Sequence, residues 1–382
     1  MTPLFADRFA SFEGVAYLDT ASQGPIPLSA SRAGKDALRL KEQPWRITSG
    51  TYVAAVSEAR ALAARLLGAR EASVALVTGA GQAINAVARG LEWREGDEVV
   101  VPRGEFPSND YPWRWLQRRG MRLRVVEADH PSGAVSAARL AEAVGPRTRV
   151  VAFAHVSYVH GGRLDPAPVV EAARRVGALT VVDGSQAAGA LPFDFVASGV
   201  DVYAASGYKF LLGPYGTGLG LFSDEALERL GVGDVNWWAV RGSEDFAHLP
   251  AEVDLKPGAV RFDAHETAAF FNLLPWAESL RLLLEVTPAV IQAHARALCD
   301  RILARLPDGW EPASPLELDA RSHLLSVRAR APGVTDATYE ALREAKVIAS
   351  LRRDRIRVSP HLYTGASDID RFLEALAAET PR

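Results

Sequence analysis

At 382 residues with 48% hydrophobic side chains, the chain is long enough to bury a large core and to divide into more than one domain. Its 46 acidic and 43 basic side chains leave a formal charge of −3, and no block of either sign stands out, which argues against nucleic acid or a membrane surface as a partner. A single cysteine, Cys299, excludes an internal disulfide framework, and the eight histidines include no His-x-x-x-His pair or cluster at metal-ligand spacing.

The opening segment, Met1 to Phe9, lacks a charged stretch followed by an apolar run. No stretch approaches the roughly 20 apolar residues of a membrane span, so a cytoplasmic protein is expected. From about residue 55 to 225, short β-branched runs alternate with helical patterns. Ser73–Val77, Glu98–Val101, Leu123–Glu127, Val150–Ala154, Leu179–Val182, Val202–Ala205 and Leu219–Phe222 read as strands, with Ala83–Leu91, Ala137–Val144 and Pro168–Val176 as helices between them. Apolar strands alternating with amphipathic helices predict an α/β fold with a mostly parallel sheet covered on both faces. Ligands bind such sheets beyond the carboxyl ends of the strands. Glu244–Arg261 reads as a connecting loop. Longer helical patterns follow (Ala268–Glu285, Ala289–Leu306), then strand-like runs (His323–Val327, Arg355–Ser359) and a last helix near Ile369–Glu379. This predicts a large domain over 20–260 and a smaller α+β domain from 1–19 and 261–382. Cys299 falls in an amphipathic helical pattern and reads as core packing rather than a nucleophile.

Three strand ends carry chemistry. The first strand runs into Thr78-Gly79-Ala80-Gly81-Gln82 and then a helix, an arrangement whose free N–H groups and positive helix end suit an anion. It is neither a dinucleotide fingerprint, since residue 84 is Ile, nor a Walker loop. The second is Asp183, where an apolar strand meets small residues and Gln186. It reads either as a helix cap or as a carboxylate that needs a cationic partner. The third is Lys209, one of only five lysines, with no other charge between Asp201 and Asp224 and with Ser206 and Tyr208 beside it. Such a lysine either snorkels to water or is held with a lowered pKa, the state Schiff-base chemistry uses. Together the three describe pyridoxal phosphate, which needs a lysine for its aldehyde, a carboxylate for its ring nitrogen and an anion site for its phosphate.

Val182-Asp-Gly-Ser-Gln-Ala-Ala-Gly189 followed by Ser206-Gly-Tyr-Lys-Phe-Leu-Leu-Gly-Pro-Tyr-Gly-Thr-Gly218 resembles the class V aminotransferase family, the cysteine-desulfurase-like branch of fold-type I pyridoxal phosphate enzymes. Tyr17–Ser22, Glu105–Trp113 and Arg355–Tyr363 resemble further segments of that family. The resemblance implies a fold-type I large domain with a seven-stranded sheet, a homodimer, and an amino-acid substrate. It makes Lys209 the Schiff-base and proton-moving lysine and Asp183 the pyridinium partner. Gln186 would bond the ring oxygen or the imine region and Phe106 would stack on the ring, although Phe106 could also be a core aromatic. Gly79, Ala80, Gly81 and Gln82, with Ser206 and Tyr208, would cradle the phosphate. Arg352, Arg353, Arg355 and Arg357 all compete for the substrate carboxylate, and alternation puts 353, 355 and 357 on one strand face. The family match selects Arg357. Thr267 or Glu266 would reach the phosphate of a partner subunit.

The chain departs from desulfurases at several points. No cysteine lies in 345–354, Phe106 replaces their histidine, and Tyr158 stands where many relatives carry asparagine. The resemblance therefore implies aminotransferase-like activity, with a cysteine- or selenocysteine-lyase-like or epimerase reaction as alternative. A non-catalytic binding protein that kept the fold, and a dehydrogenase, are weaker readings, because Lys209 and Asp183 are both present and the glycine fingerprint is incomplete.

Overall fold

The seven predicted strands form, and they join one sheet: β1 (Val74–Val77), β2 (Glu98–Pro102), β3 (Arg122–Val126), β4 (Thr148–Ala154), β5 (Leu179–Asp183), β6 (Val202–Ser206) and β7 (Gly218–Phe222). This computed structural model describes residues 4–267 and 269–378. The strand order is β1-β7-β6-β5-β4-β2-β3. β6 to β3 run parallel, and β7 runs antiparallel to both of its neighbours. The cause is the short connection 207–217, which carries no crossover helix, so the chain can only return antiparallel.

Alternate residues of each strand enter different cores, as the pleat requires. Val74, Leu76, Val100, Val151 and Phe153 face one cluster, while Ala75, Val77, Val99, Val101, Val150 and Ala152 face the other. Helices α3 (Ala80–Gly90), α4 (Pro107–Leu116) and α6 (Ala167–Val176), with the shorter α5 (Ala137–Glu142), follow strands in the alternating pattern. Two helices that precede the sheet, α1 (Leu28–Glu42) and α2 (Ser49–Leu66), pack against α7 (Phe270–Val286). The predicted start of α7, Ala268, lies outside the described residues, as do Met1–Pro3 of the opening segment and Glu379 of the last helix.

α7 packs into the core beneath the large sheet. Phe270, Leu273, Trp276, Leu280 and Leu283 of α7 share a core with Ala37 of α1 and Val56 of α2. The smaller domain includes α8 (Pro288–Ala304) and builds its own core from Leu298, Ile302, Val327, Leu342, Ile356 and Phe372. Its antiparallel sheet comprises β8 (Trp310–Pro312), β9 (Leu325–Ala329), β10 (Ser350–Arg352) and β11 (Arg355–Val358), in the order β10-β11-β9-β8. Ala16 and Leu18 join that core, and Ala16–Tyr17 pairs in parallel with Val347–Ile348. The opening segment touches both cores, since Phe9 packs in the large one while Ala16 and Leu18 pack in the smaller. Among the described residues no helix is long and apolar enough to cross a membrane.

Candidate active site

The three chemical strand ends converge because of the strand order. β7 lies between β1 and β6, and its Gly218 is in register with both Val77 and Ser206. A Cβ on Gly218 would lie 2.7 Å from the Cα of Gly79, so only glycine lets the anion turn approach β6. The Ala80 amide then donates to Ser206 Oγ at 3.3 Å, while Ser185 Oγ and Ser206 Oγ lie 3.4 Å apart. Gly79 caps α3, whose first turn presents its N–H groups. Gln82 folds back, its Oε1 accepting from the Thr78 amide at 3.0 Å and the Thr78 hydroxyl at 3.1 Å. The Tyr208 ring lies against Tyr215, centroids 4.4 Å apart.

Lys209 does not snorkel: it is 7% exposed and makes no ion pair with any described residue. Its backbone is held by the opening segment. The Gly24 amide donates to the Tyr208 carbonyl at 2.8 Å, and a Cβ on Gly24 would come within 2.0 Å of the Lys209 carbonyl oxygen. Burial lowers the Lys209 ammonium to about 8; Asp183 and Asp19 oppose that shift, and Arg357 and Arg352 add to it. The amine is therefore partly unprotonated near neutral pH, as a nucleophile and proton acceptor requires.

Asp183 ends β5 opposite Ala154 of β4 and is buried. One of its oxygens does make the local bond expected of a cap, from the Ser185 amide at 2.9 Å. Behind it, the His155 amide donates to the Asp183 carbonyl at 2.9 Å, and His155 Nδ1 lies 3.2 Å from the Tyr203 hydroxyl. Burial holds His155 neutral, its pKa lowered to about 3. Gln186 is buried beside Asp183; its Nε2 donates to the Ala21 carbonyl at 3.0 Å, while its Oε1 has no hydrogen-bond partner. Phe106 is not a core aromatic. It is 36% exposed, meets Tyr158 edge-on at 5.1 Å, and has the Lys209 Nζ 5.2 Å from its ring centroid.

The four candidate arginines separate. Arg353 is exposed, with positive φ. Arg355 donates to the Ser132 carbonyl at 2.7 Å and the Ala313 carbonyl at 3.1 Å, which commits it to structure. Arg357 and Arg352 both lie within electrostatic reach of Lys209. Arg357 is fully buried and donates to the Tyr158 carbonyl at 2.7 Å and to Asp19 Oδ1 at 3.2 Å. Its Nε has no partner, and burial lowers its pKa to about 10. Thr267 is buried in its own loop, its hydroxyl donating to the Ala264 carbonyl, and Glu266 beside it is exposed. Cys299 is packed in the smaller domain's core, where burial pushes its thiol up to about 12. Among the described residues no group of three or more His, Cys, Asp and Glu could hold a metal.

The aminotransferase class-V model matches residues 16–372. The chain belongs to that family. It is 34% identical to the isopenicillin N epimerase of Streptomyces clavuligerus over 386 residues, 96% of this chain and 95% of that protein. A probable cysteine desulfurase of Pseudomonas aeruginosa is 31% identical over 397 residues, 96% of this chain and 95% of that one. In fold, the chain is similar to a lysine-to-alanine mutant of C-DES with glycine covalently linked to its PLP cofactor. The TM-score is 0.85 at 22% identity, covering 97% of this chain and 98% of that one. As a class V member the chain is a fold-type I enzyme whose cofactor is pyridoxal 5'-phosphate. The site fits that group: a buried amine and a Gln186 oxygen that have no ion-pair or hydrogen-bond partner among the described residues, a carboxylate at a strand end, and a helix N-terminus lined by hydroxyls.

Sequence reading had passed over Asp19, Ser22, Ser350 and Glu105. The Glu105 carboxylate accepts from the Ala154 amide at 2.9 Å and from Asn109 Nδ2 at 3.0 Å, tying the Phe106 turn to β4. Burial raises its pKa to about 8, with Asp183 adding to the rise. Its place between Gly104 and Phe106 was the available signal.

Proposed function

We propose that the chain binds a small amino acid, moves its α-proton through Lys209, and completes an aminotransferase-like reaction. The observation that carries this reading is the buried Lys209 amine, lowered to about 8 and facing Phe106 at 5.2 Å. When bound, pyridoxal phosphate supplies an electron sink for the carbanion formed at the substrate's α-carbon. Asp183 holds a proton at the ring nitrogen by its negative charge. Gly79 to Gln82, Ser206 and Tyr208 would hold the phosphate, Phe106 would lie against the ring, and Arg357 would orient the substrate carboxylate. Lys209 Nζ accepts the α-proton and then acts as the acid for the reprotonation that follows, at a different carbon in transamination and at the α-carbon in epimerisation.

Epimerisation is the second reading, favoured by the 34% identity to isopenicillin N epimerase across 96% of this chain. Persulfide formation at Cys299 is opposed by its burial in the smaller domain. Incubating the loaded enzyme with α-deuterated L-amino acids and an oxo-acid acceptor separates the two. Transamination yields a new oxo acid and a new amino acid, whereas epimerisation yields D-amino acid with deuterium lost to solvent. Retention of all the deuterium overturns both. We further propose a cytoplasmic homodimer; exposed Trp45 (75%) and Tyr215 (71%) support a covered face, and a monomeric mass by light scattering would contradict it.

A further inference from the structure

Arg352 stands out among the charges around Lys209. It is half-buried, and it makes no ion pair with any described residue, whereas Arg357 has Asp19. Its Nη1 donates to the Leu351 carbonyl at 2.9 Å and its Nη2 to Ser22 Oγ at 3.0 Å. Arg357 Nη2 donates to that same hydroxyl at 3.2 Å. Two guanidinium groups therefore converge on one oxygen. Each disfavours the charge on Lys209, and Arg352 disfavours the charge on Arg357. Like charges gathered in a largely buried site are costly unless an anion joins them. Asp19 answers only part of that charge. It accepts from Arg357 at 3.2 Å, Ser350 at 2.6 Å and Ser22 at 3.0 Å.

We propose that Arg352 joins Arg357 in seating the substrate's carboxylate, and that this seat takes one negative charge, so the chain selects amino acids with uncharged side chains over acidic ones. The inference rests on the functional reading above, in which Lys209 and Asp183 are both committed to the cofactor. Arg352, Arg357 and Asp19 then leave a surplus of one positive charge among the described residues facing the substrate. A single carboxylate cancels it. A second carboxylate on the substrate would leave an unpaired negative charge beside Asp19, which burial penalises. Arg357, already paired and sealed from solvent, sets the position; Arg352 supplies the uncompensated charge.

The test titrates the cofactor-loaded enzyme with L-alanine, L-alaninamide and L-aspartate, reading dissociation constants from the absorbance of the bound cofactor. The wild-type chain is expected to bind L-alanine more tightly than either of the others. Losing a charge-assisted contact in Arg352→Met should weaken L-alanine about 10- to 100-fold and leave L-alaninamide unchanged. Arg352→Gln, which keeps a donor without the charge, should behave like Arg352→Met, and Arg352→Lys should recover part of the loss. A wild-type cofactor spectrum in each variant checks that the site is intact; where Arg352→Met fails that check, Arg352→Gln decides. Unchanged L-alanine binding, or equal weakening of L-alanine and L-alaninamide, overturns the inference and leaves the cofactor reading standing. Tighter binding of L-aspartate than L-alanine by the wild-type chain overturns it as well. A wild-type chain that takes up no pyridoxal phosphate overturns the functional reading, and this inference with it.

Discussion

The two sides of Lys209 are built from different material. On one side lies Asp183, fixed by β5, backed by neutral His155 and placed by sheet register alone. On the other lie Asp19, Ser22, Arg352 and Arg357, brought together from the opening segment and the smaller domain's sheet. Burial lowers the Lys209 pKa most; Asp183 on the first side pushes it up, and on the second Arg357 and Arg352 push it down against Asp19. A single amine therefore reports on both. The side made by one sheet is rigid by construction, while the side made by two domains depends on how they meet.

The largest expected effect removes the amine under comparison. Lys209→Ala should cut turnover by about a thousandfold or more, since both nucleophile and proton carrier are lost. A variant with wild-type turnover breaks the whole scheme.

Acid should undermine the fold next, at His155 behind Asp183 and at two histidines elsewhere. His155, with His160 and His361, is held neutral down to about 3 by burial. The unfolded chain takes up protons on these rings near pH 6.5, and the folded one refuses them until about 3. Their contribution to stability is therefore fully present above pH 6.5 and falls as the pH drops from there toward 3. Urea midpoints measured at pH 7.5, 6 and 5 should decline in that order; a flat series contradicts these assignments.

Reactivity of the cofactor-free chain sharpens the comparison further. Asp183→Asn should move the Lys209 ammonium below about 8 and Arg352→Met should move it above, because the first removes a raising charge and the second a lowering one. The pH dependence of acylation at Lys209, followed by peptide mass, gives both shifts. Movement in the same direction would sink the two-sided account.

The smallest effect belongs to the phosphate end. Ser206→Ala removes one neutral hydroxyl and should weaken cofactor binding by roughly 1 kcal/mol, about fivefold. Lys209 acylation in the cofactor-free chain should not change, and a large change there would mean that Ser206 acts on the amine instead.

Legibility follows the same division. The strands that end at Thr78, Asp183 and Ser206 were readable, because apolar runs broken by glycine and polar residues mark a buried sheet and its rim. The fold class followed from that alternation. The carboxylate side was not readable from pattern: Asp19 and Arg357 stand 338 residues apart, and only the folded chain brings them together. Strand alternation also could not separate Arg355 from Arg357, since both are buried and only their partners differ. Nor could pattern show what α7 packs on, because it reads like the helices after it yet lies against α1 and α2.

The placement of the lone thiol has a practical consequence. With Cys299 sealed in the interior and its thiol kept protonated, maleimide dyes should pass the native chain by. A cysteine engineered onto the outer surface would then be the one labelled position, so fluorescence distance measurements across the two domains could be made without first deleting a natural thiol.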